Sequence, residues 1–97
     1  MNSQQQYDKI FSVELFPPRT APGFEKLQQA VRELQSVSPA FFSVTYGAGG
    51  STRERTFESV DWLKSEGIDT APHISCVGSS RDEISAMLER YRHCLLY

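Results

Sequence analysis

Cysteine is scarce in this chain: 97 residues contain only Cys76 and Cys94, with no C-x-x-C pair. That fits two reduced thiols in a cytoplasmic protein better than a disulfide framework. No apolar run approaches the roughly 20 residues that cross a bilayer, so no membrane association is expected. The opening Met1-Asn2-Ser3-Gln4-Gln5-Gln6 has neither a basic nor an apolar segment, and a secretion signal is not expected. Positive charge is also short. Ten Lys and Arg against twelve Asp and Glu give a net charge of -2, which supplies no basic field for nucleic acid. Two nucleotide-binding signatures are missing as well. A G-x-G-x-x-G fingerprint starting at Gly47 would need a third glycine where Thr52 stands, and no lysine precedes Ser51 as a Walker loop requires.

What is present is an ordinary soluble composition, 39% hydrophobic and 23% charged, of a size for at most one domain. A single unit recurs three times along it: a short apolar run, a polar or glycine-rich turn, and an amphipathic helix. The first strand is expected over residues 11–16, and Leu27, Ala30, Val31 and Leu34 follow at the spacing of one buried helix face. Ser38-Pro39 ends that helix. A second strand over residues 41–46 runs into Gly47-Ala48-Gly49-Gly50, after which Ser51 and Glu54 have the capping-box spacing. Phe57, Val60 and Leu63, or the stem of Lys64, form the inner face of the second helix, and Gly67 stops it. The third strand is expected over residues 70–77, with Pro72 near its start. Ser80 and Glu83 then cap a third helix whose apolar stripe is Ile84, Met87, Leu88 and Tyr91.

The order βαβαβα predicts an α/β fold with parallel strands. Three strands cannot close a (βα)8 barrel of roughly 250 residues, so the chain reads as the front of something larger. His93-Cys94-Leu95-Leu96-Tyr97 stands where a fourth strand is expected to begin.

Candidate chemistry sits at the ends of the strands. In Phe11-Ser12-Val13-Glu14-Leu15-Phe16-Pro17-Pro18-Arg19 a carboxylate interrupts an apolar strand that two prolines then terminate. Glu14 is thus expected near the strand's C-terminal end, the side that carries the active site in parallel α/β folds. The glycine turn could face an anion with its N–H groups, or simply be a tight connection without a ligand. His73 and Cys76 are three apart and point to opposite faces of a strand, which argues against a metal site. His73 alone reads as a strand-end histidine bonded to backbone or as a polar ligand contact. Thr45 and Tyr46, just before the turn, are credible ligand residues, although Tyr46 could equally pack in the core. Arg53, Glu54 and Arg55 read as a solvated first helical turn.

The three segments 11–20, 42–56 and 71–78, in that order, resemble the first three βα units of 5,10-methylenetetrahydrofolate reductase. The resemblance runs from about Phe11 to Arg92. It implies a flavoprotein (βα)8 TIM barrel in which NADH or NADPH reduces FAD and the flavin passes hydride to the folate substrate, giving 5-methyltetrahydrofolate, with a homo-oligomer as the intact enzyme. Residue by residue, it assigns Glu14 as the general acid that helps open the methylene bridge, Thr45 to the vicinity of nicotinamide and flavin, and Tyr46, Ala48 and His73 to flavin contacts. A proton donor must keep its proton at neutral pH, and desolvation on an apolar strand is expected to help Glu14 do so. A structural carboxylate paired with an arginine on a neighbouring strand is the competing role.

The family's fourth-strand Leu-Arg-Gly-Asp is absent from the sequence. The expectation is therefore a truncated N-terminal portion of a catalytic domain, residues 1–97, itself inactive and aggregation-prone through its strand edges. The alternative is a non-catalytic βα module that associates with other chains through those edges.

Overall fold

A computed structural model describes residues 8–46 and 50–96. Its elements are β1 (Val13–Leu15), α1 (Ala21–Leu34), a 3-10 turn (Gln35–Val37), β2 (Phe42–Val44), α2 (Gly50–Ser65), β3 (Thr70–Pro72) and α3 (Arg81–Leu96). The strands are parallel in the order β1-β2-β3, and three rungs cross the sheet: Val13–Phe42–Thr70, Glu14–Ser43–Ala71 and Leu15–Val44–Pro72. The expected α/β fold with parallel strands is what the chain forms.

The strands are shorter than the apolar runs that announced them. Single bonds extend the ladder at either end: Ala40 N–H donates to the Phe11 carbonyl at 2.8 Å, and His73 N–H to the Val44 carbonyl at 2.8 Å. β2 ends at Val44 and α2 begins at Gly50, so residues 74–77 have no β2 strand to pair with, and β3 stops early. Pro72 therefore ends β3, where the sequence placed it near the start. Asp69 and His73 bond toward β2, so by alternation the N–H that Pro72 lacks would point away from β2, where a proline costs nothing in the existing ladder.

Four helix ends are marked by identifiable caps. Thr20 caps α1, its Oγ1 accepting from the Gly23 N–H at 3.1 Å, with Pro22 in the first turn where a missing donor is harmless. The chain leaves α1 and its 3-10 turn through Ser38, in the left-handed region at φ 55°. At the end of α2, Gly67 has φ +74°; its N–H donates to the Lys64 carbonyl at 3.0 Å, and Ile68 N–H donates to the Leu63 carbonyl at 3.1 Å. This is a Schellman ending, and its hydrophobic clasp is Ile68 with Leu63, both in the core. Ser80 caps α3, its Oγ accepting from Glu83 N–H at 3.1 Å. Residues 93–96, expected to lead into a fourth strand, instead continue α3 to Leu96.

The core lies on one side of the sheet. Leu15, Phe42 and Val44 point to it and meet Val31 of α1, Val60 and Leu63 of α2, Ile68, and Tyr91 of α3. Burying each large aliphatic or aromatic side chain here contributes about 1.5–3 kcal/mol. Three expected faces need correction. Ala30 is exposed, because the buried line of α1 runs through Val31 with Leu27 and Leu34 at its margins. The stripe of α2 is Thr56, Ser59, Val60 and Leu63, all at 0% exposure, with Phe57 only partly covered and Lys64 in solvent. In α3, Tyr91 and Met87 face the core while Leu88 is largely exposed.

Neighbouring helices are tied by the same device twice. Between α1 and α2, Phe24 meets Trp62 edge-on at 6.2 Å, and Arg32 lies over the Trp62 ring and 3.8 Å from Glu66. Between α2 and α3, Phe57 packs on Tyr91 at 5.5 Å, and Arg90 lies 3.5 Å from the centre of the Phe57 ring. Among the described residues no helix is long and apolar enough to cross a membrane.

A methyl group at position 67 would meet nothing within 4 Å, so only its backbone conformation resists substitution. We expect Gly67→Ala to destabilise the chain by about 1 kcal/mol and Gly67→Asn, which tolerates the left-handed region, by less than half of that. Urea-unfolding midpoints measure both; equal losses, or none, would show that the turn does not hold the end of α2.

Candidate active site

The side chains of Glu14, Ser43 and Ala71 share one rung, and period-two alternation places them on the face opposite Leu15, Phe42 and Val44. Two residues further along, Thr45 and His73 follow on that same face. No described helix packs there. Glu14 Oε1 lies 3.6 Å from His73 Nε2, an ion pair when the imidazole is protonated, with side chains 53% and 45% exposed respectively. Ser43, between them on the central strand, is buried. The arginine partner considered for Glu14 is not what the fold supplies; its partner is His73.

The desolvation expected of Glu14 is not met by these elements. Its strand is apolar on the helix side only, and the carboxylate projects from the other side. Thr45 is held at both backbone groups, its N–H donating to the Leu15 carbonyl at 2.9 Å and its carbonyl accepting from the Thr56 hydroxyl at 2.9 Å. Thr56 was invisible as a site-supporting residue, since a threonine in an amphipathic pattern reads as surface. Its position is nonetheless legible: Thr56, Ser59, Val60 and Leu63 have i, i+3, i+4, i+7 spacing.

Tyr46 is not brought together with Glu14 and His73. Its ring lies 5.8 Å from the Arg53 guanidinium on the helix side, and its buried hydroxyl has no partner among the described residues. Ala48, with Gly47 and Gly49, lies outside the described residues. Cys76 is exposed in the loop after β3, well off any strand, and no three His, Cys, Asp or Glu side chains converge among the described residues.

Arg53, Glu54 and Arg55 do more than line a solvated turn. Arg53 bonds the Ser79 hydroxyl in the loop before α3 and lies 3.5 Å from Glu83, so it ties the start of α2 to the start of α3. Glu54 accepts two bonds from Arg90, at 2.8 and 2.7 Å. Those bonds hold the Glu54 carboxyl below its usual value of 4.5 and raise Arg90. Arg55 pairs with Glu58 at 3.0 Å. A groove of about 430 Å³ between the helices is lined by Arg53, Phe57, Met87, Arg90 and Tyr91; it lies on the helix side, away from Glu14. Burial pushes the Tyr91 phenol up to about 12, so it stays neutral, and burial followed by the Asp61 contact raises the Cys94 thiol.

The family model for methylenetetrahydrofolate reductase matches residues 1–95 of this sequence. The chain belongs to the methylenetetrahydrofolate reductase family. It is 38% identical over 81 residues to the 5,10-methylenetetrahydrofolate reductase of Salmonella typhimurium, covering 82% of this chain and 27% of that protein. The corresponding enzyme of Buchnera aphidicola subsp. Schizaphis graminum is 41% identical over 86 residues, 87% of this chain and 30% of its own length. "Methylenetetrahydrofolate reductase (NADH) 1" of Arabidopsis thaliana is 35% identical over 89 residues, 91% of this chain and 15% of its own. The chain spans less than a third of the length of these relatives. On this uncovered face the carboxylate of Glu14 and the imidazole of His73 stand beside the small side chains of Ser43 and Ala71, a mix of polar and small groups that suits a flat aromatic ligand such as the flavin the family implies.

A lowered glutamate value has a definite consequence for stability. The contribution of Glu54 is fully present above its ordinary value of 4.5 and is lost as pH falls through the lowered folded value. Both partners are about half exposed, so the effect is expected to stay below about 1 kcal/mol. Urea midpoints at about pH 7 and about pH 3 should differ less in Glu54→Gln than in the parent chain by that amount; an identical acid response in the two would exclude the pair as a contributor.

Proposed function

We propose that these residues are the first three βα units of a closed (βα)8 barrel, the N-terminal portion of a catalytic domain that reduces 5,10-methylenetetrahydrofolate to 5-methyltetrahydrofolate. The observation that carries this reading is the convergence of Glu14 and His73 on the uncovered face of a sheet wound in one direction, in a chain of this family. FAD, which Tyr46, Ala48 and His73 would help to hold with Thr45 nearby, would supply the hydride chemistry between NADH or NADPH and the folate. The protein's own part begins with Glu14, whose carboxyl group gives a proton to the departing nitrogen of the methylene bridge, leaving the reactive iminium. The exposure of Glu14 in these units agrees with a site whose remaining walls come from other strands, which would exclude water and supply the desolvation an acid needs. Thr45, fixed by its two backbone bonds, offers its side chain to the same face at the rim.

Residues 1–97 alone should bind FAD weakly or not at all and show no reductase activity, because the sheet face presents one wall only. Gel filtration monitored at the flavin's visible absorbance tests this. A monomer carrying stoichiometric FAD would overturn it.

In a full-length reductase bearing this sequence as its N-terminal portion, Glu14→Gln should retain flavin and leave NADH-driven bleaching of FAD within roughly tenfold of the parent. Folate reduction should fall by at least ~10²-fold. Stopped-flow measurement of each half-reaction separates the outcomes: equal slowing of both would make Glu14 a positioning or structural group, and slowing of neither would remove the acid role.

A further inference from the structure

From the Glu14 rung to the C-terminal rim, the described side chains on the uncovered face are polar or small, with one exception. Phe16 follows β1 directly, and the register that pairs Leu15 with Val44 sets it opposite Thr45 one step further on. The next ladder bond would run from residue 17 to the Thr45 carbonyl, but Pro17 has no N–H, and that carbonyl accepts from the Thr56 hydroxyl at 2.9 Å instead. A residue before proline is held extended, so the alternation of β1 carries through Phe16 and puts its ring on the Glu14 side. The residue is 74% exposed, a large aromatic surface standing at the rim of the candidate site.

We propose that Phe16 packs on the aminobenzoyl ring of the folate substrate and selects for an aryl group beside the reacting nitrogen, an assignment that rests on the reading of Glu14 as the proton donor. The chemistry of the product locates that ring. A 5-methyl product keeps the one-carbon unit on the pterin nitrogen, so the nitrogen that departs with the proton of Glu14 is the one bonded directly to the aminobenzoyl ring. Phe16 stands two residues beyond Glu14 on the same face, about 6.6 Å along the strand. A ring attached to the protonated nitrogen can therefore meet Phe16 within the roughly 4.5–7 Å at which aromatic pairs attract. Glu14 leans toward β3, to within 3.6 Å of His73, which leaves the rim above β1 to Phe16. His73, assigned to the flavin, stands after β3 and two strand spacings from β1, roughly 10 Å. The two flat ligands are thus divided between strands, flavin toward β3 and the aryl end of the folate over β1.

The test uses a full-length reductase bearing this sequence and follows reoxidation of its reduced flavin over a range of methylenetetrahydrofolate concentrations, which separates the folate dissociation constant from the limiting rate. Phe16→Leu keeps apolar volume and removes the ring; it is expected to weaken folate binding about threefold to tenfold, the span of one aromatic pair. The limiting rate, FAD reduction by NADH and FAD affinity should stay within about twofold of the parent. Phe16→Tyr, which restores a ring, should return folate affinity to within about twofold, and Phe16→Ile repeats the measurement if Phe16→Leu does not fold. An unchanged folate constant in the ring-less variant would overturn the proposal, and a lowered thermal midpoint beside it would assign Phe16 to barrel packing. Loosened FAD, or slower reduction by NADH, would put the ring on the flavin or nicotinamide and would overturn it equally. Glu14→Gln judges the acid reading separately, since its limiting rate should fall by ~10²-fold with folate affinity retained. If that rate falls while Phe16→Leu binds folate normally, only the aryl contact is lost; if that rate is normal, the acid reading fails and takes with it the contact located through Glu14.

Discussion

A strand, a helix and a parallel neighbouring strand can be joined almost only with a right-handed crossover, because a right-twisted strand feeding a right-handed helix packs back on the sheet in that sense. Here the strand order is β1-β2-β3, so the crossover moves in the same direction each time. Repeating one hand in one direction puts every helix on the same side. Doubly wound sheets reverse direction midway and cover both faces; this arrangement does not reverse, and its second face stays uncovered by described residues. The apolar rungs, the buried helix stripes and the location of the candidate site all follow from that sidedness.

With the helices on one side, alternation along each strand becomes a division of labour. Leu15, Phe42 and Val44 belong to packing, while Glu14, Ser43 and Ala71 belong to the other face. A shift of one residue in β1 would exchange Glu14 with Leu15, burying a carboxylate under α1 and exposing a leucine. The register that protects the core is therefore the register that presents the acid. Thr56 joins the two sides, for its hydroxyl comes from the buried stripe of α2 and satisfies the carbonyl of Thr45 at the rim.

The element order was legible because the punctuation is strong. Ser38-Pro39, Gly67 and Ser80 each mark a boundary that the backbone obeys, with Ser38 and Gly67 at positive φ and Ser80 accepting from Glu83 N–H. Strand lengths were less legible, since an apolar run shows what can be extended, whereas a strand also needs a partner backbone; residues 74–77 lie beyond the end of β2 at Val44. Glu14 and His73 were each visible as odd residues in their runs. Their meeting was not, because it depends on which face each strand presents and on Ser43 leaving the way clear. The same applies to Arg90 and Glu54, 36 residues apart, and to Thr56 and Ser59, whose polar identity hid a buried helical stripe.

Pro72 has a consequence for what can join this sheet at β3. The outward-facing backbone of that strand offers the carbonyl of Pro72 but no amide beside it, so an incoming strand can donate to this rung and finds nothing to accept from it. Identical copies laid edge to edge would repeat that missing donor at every junction, which weakens indiscriminate stacking. A sequence whose own hydrogen-bonding pattern does not call on that rung loses nothing. The proline thus acts as a lock on the seam, admitting a strand cut to fit and discouraging any that would merely extend the ladder.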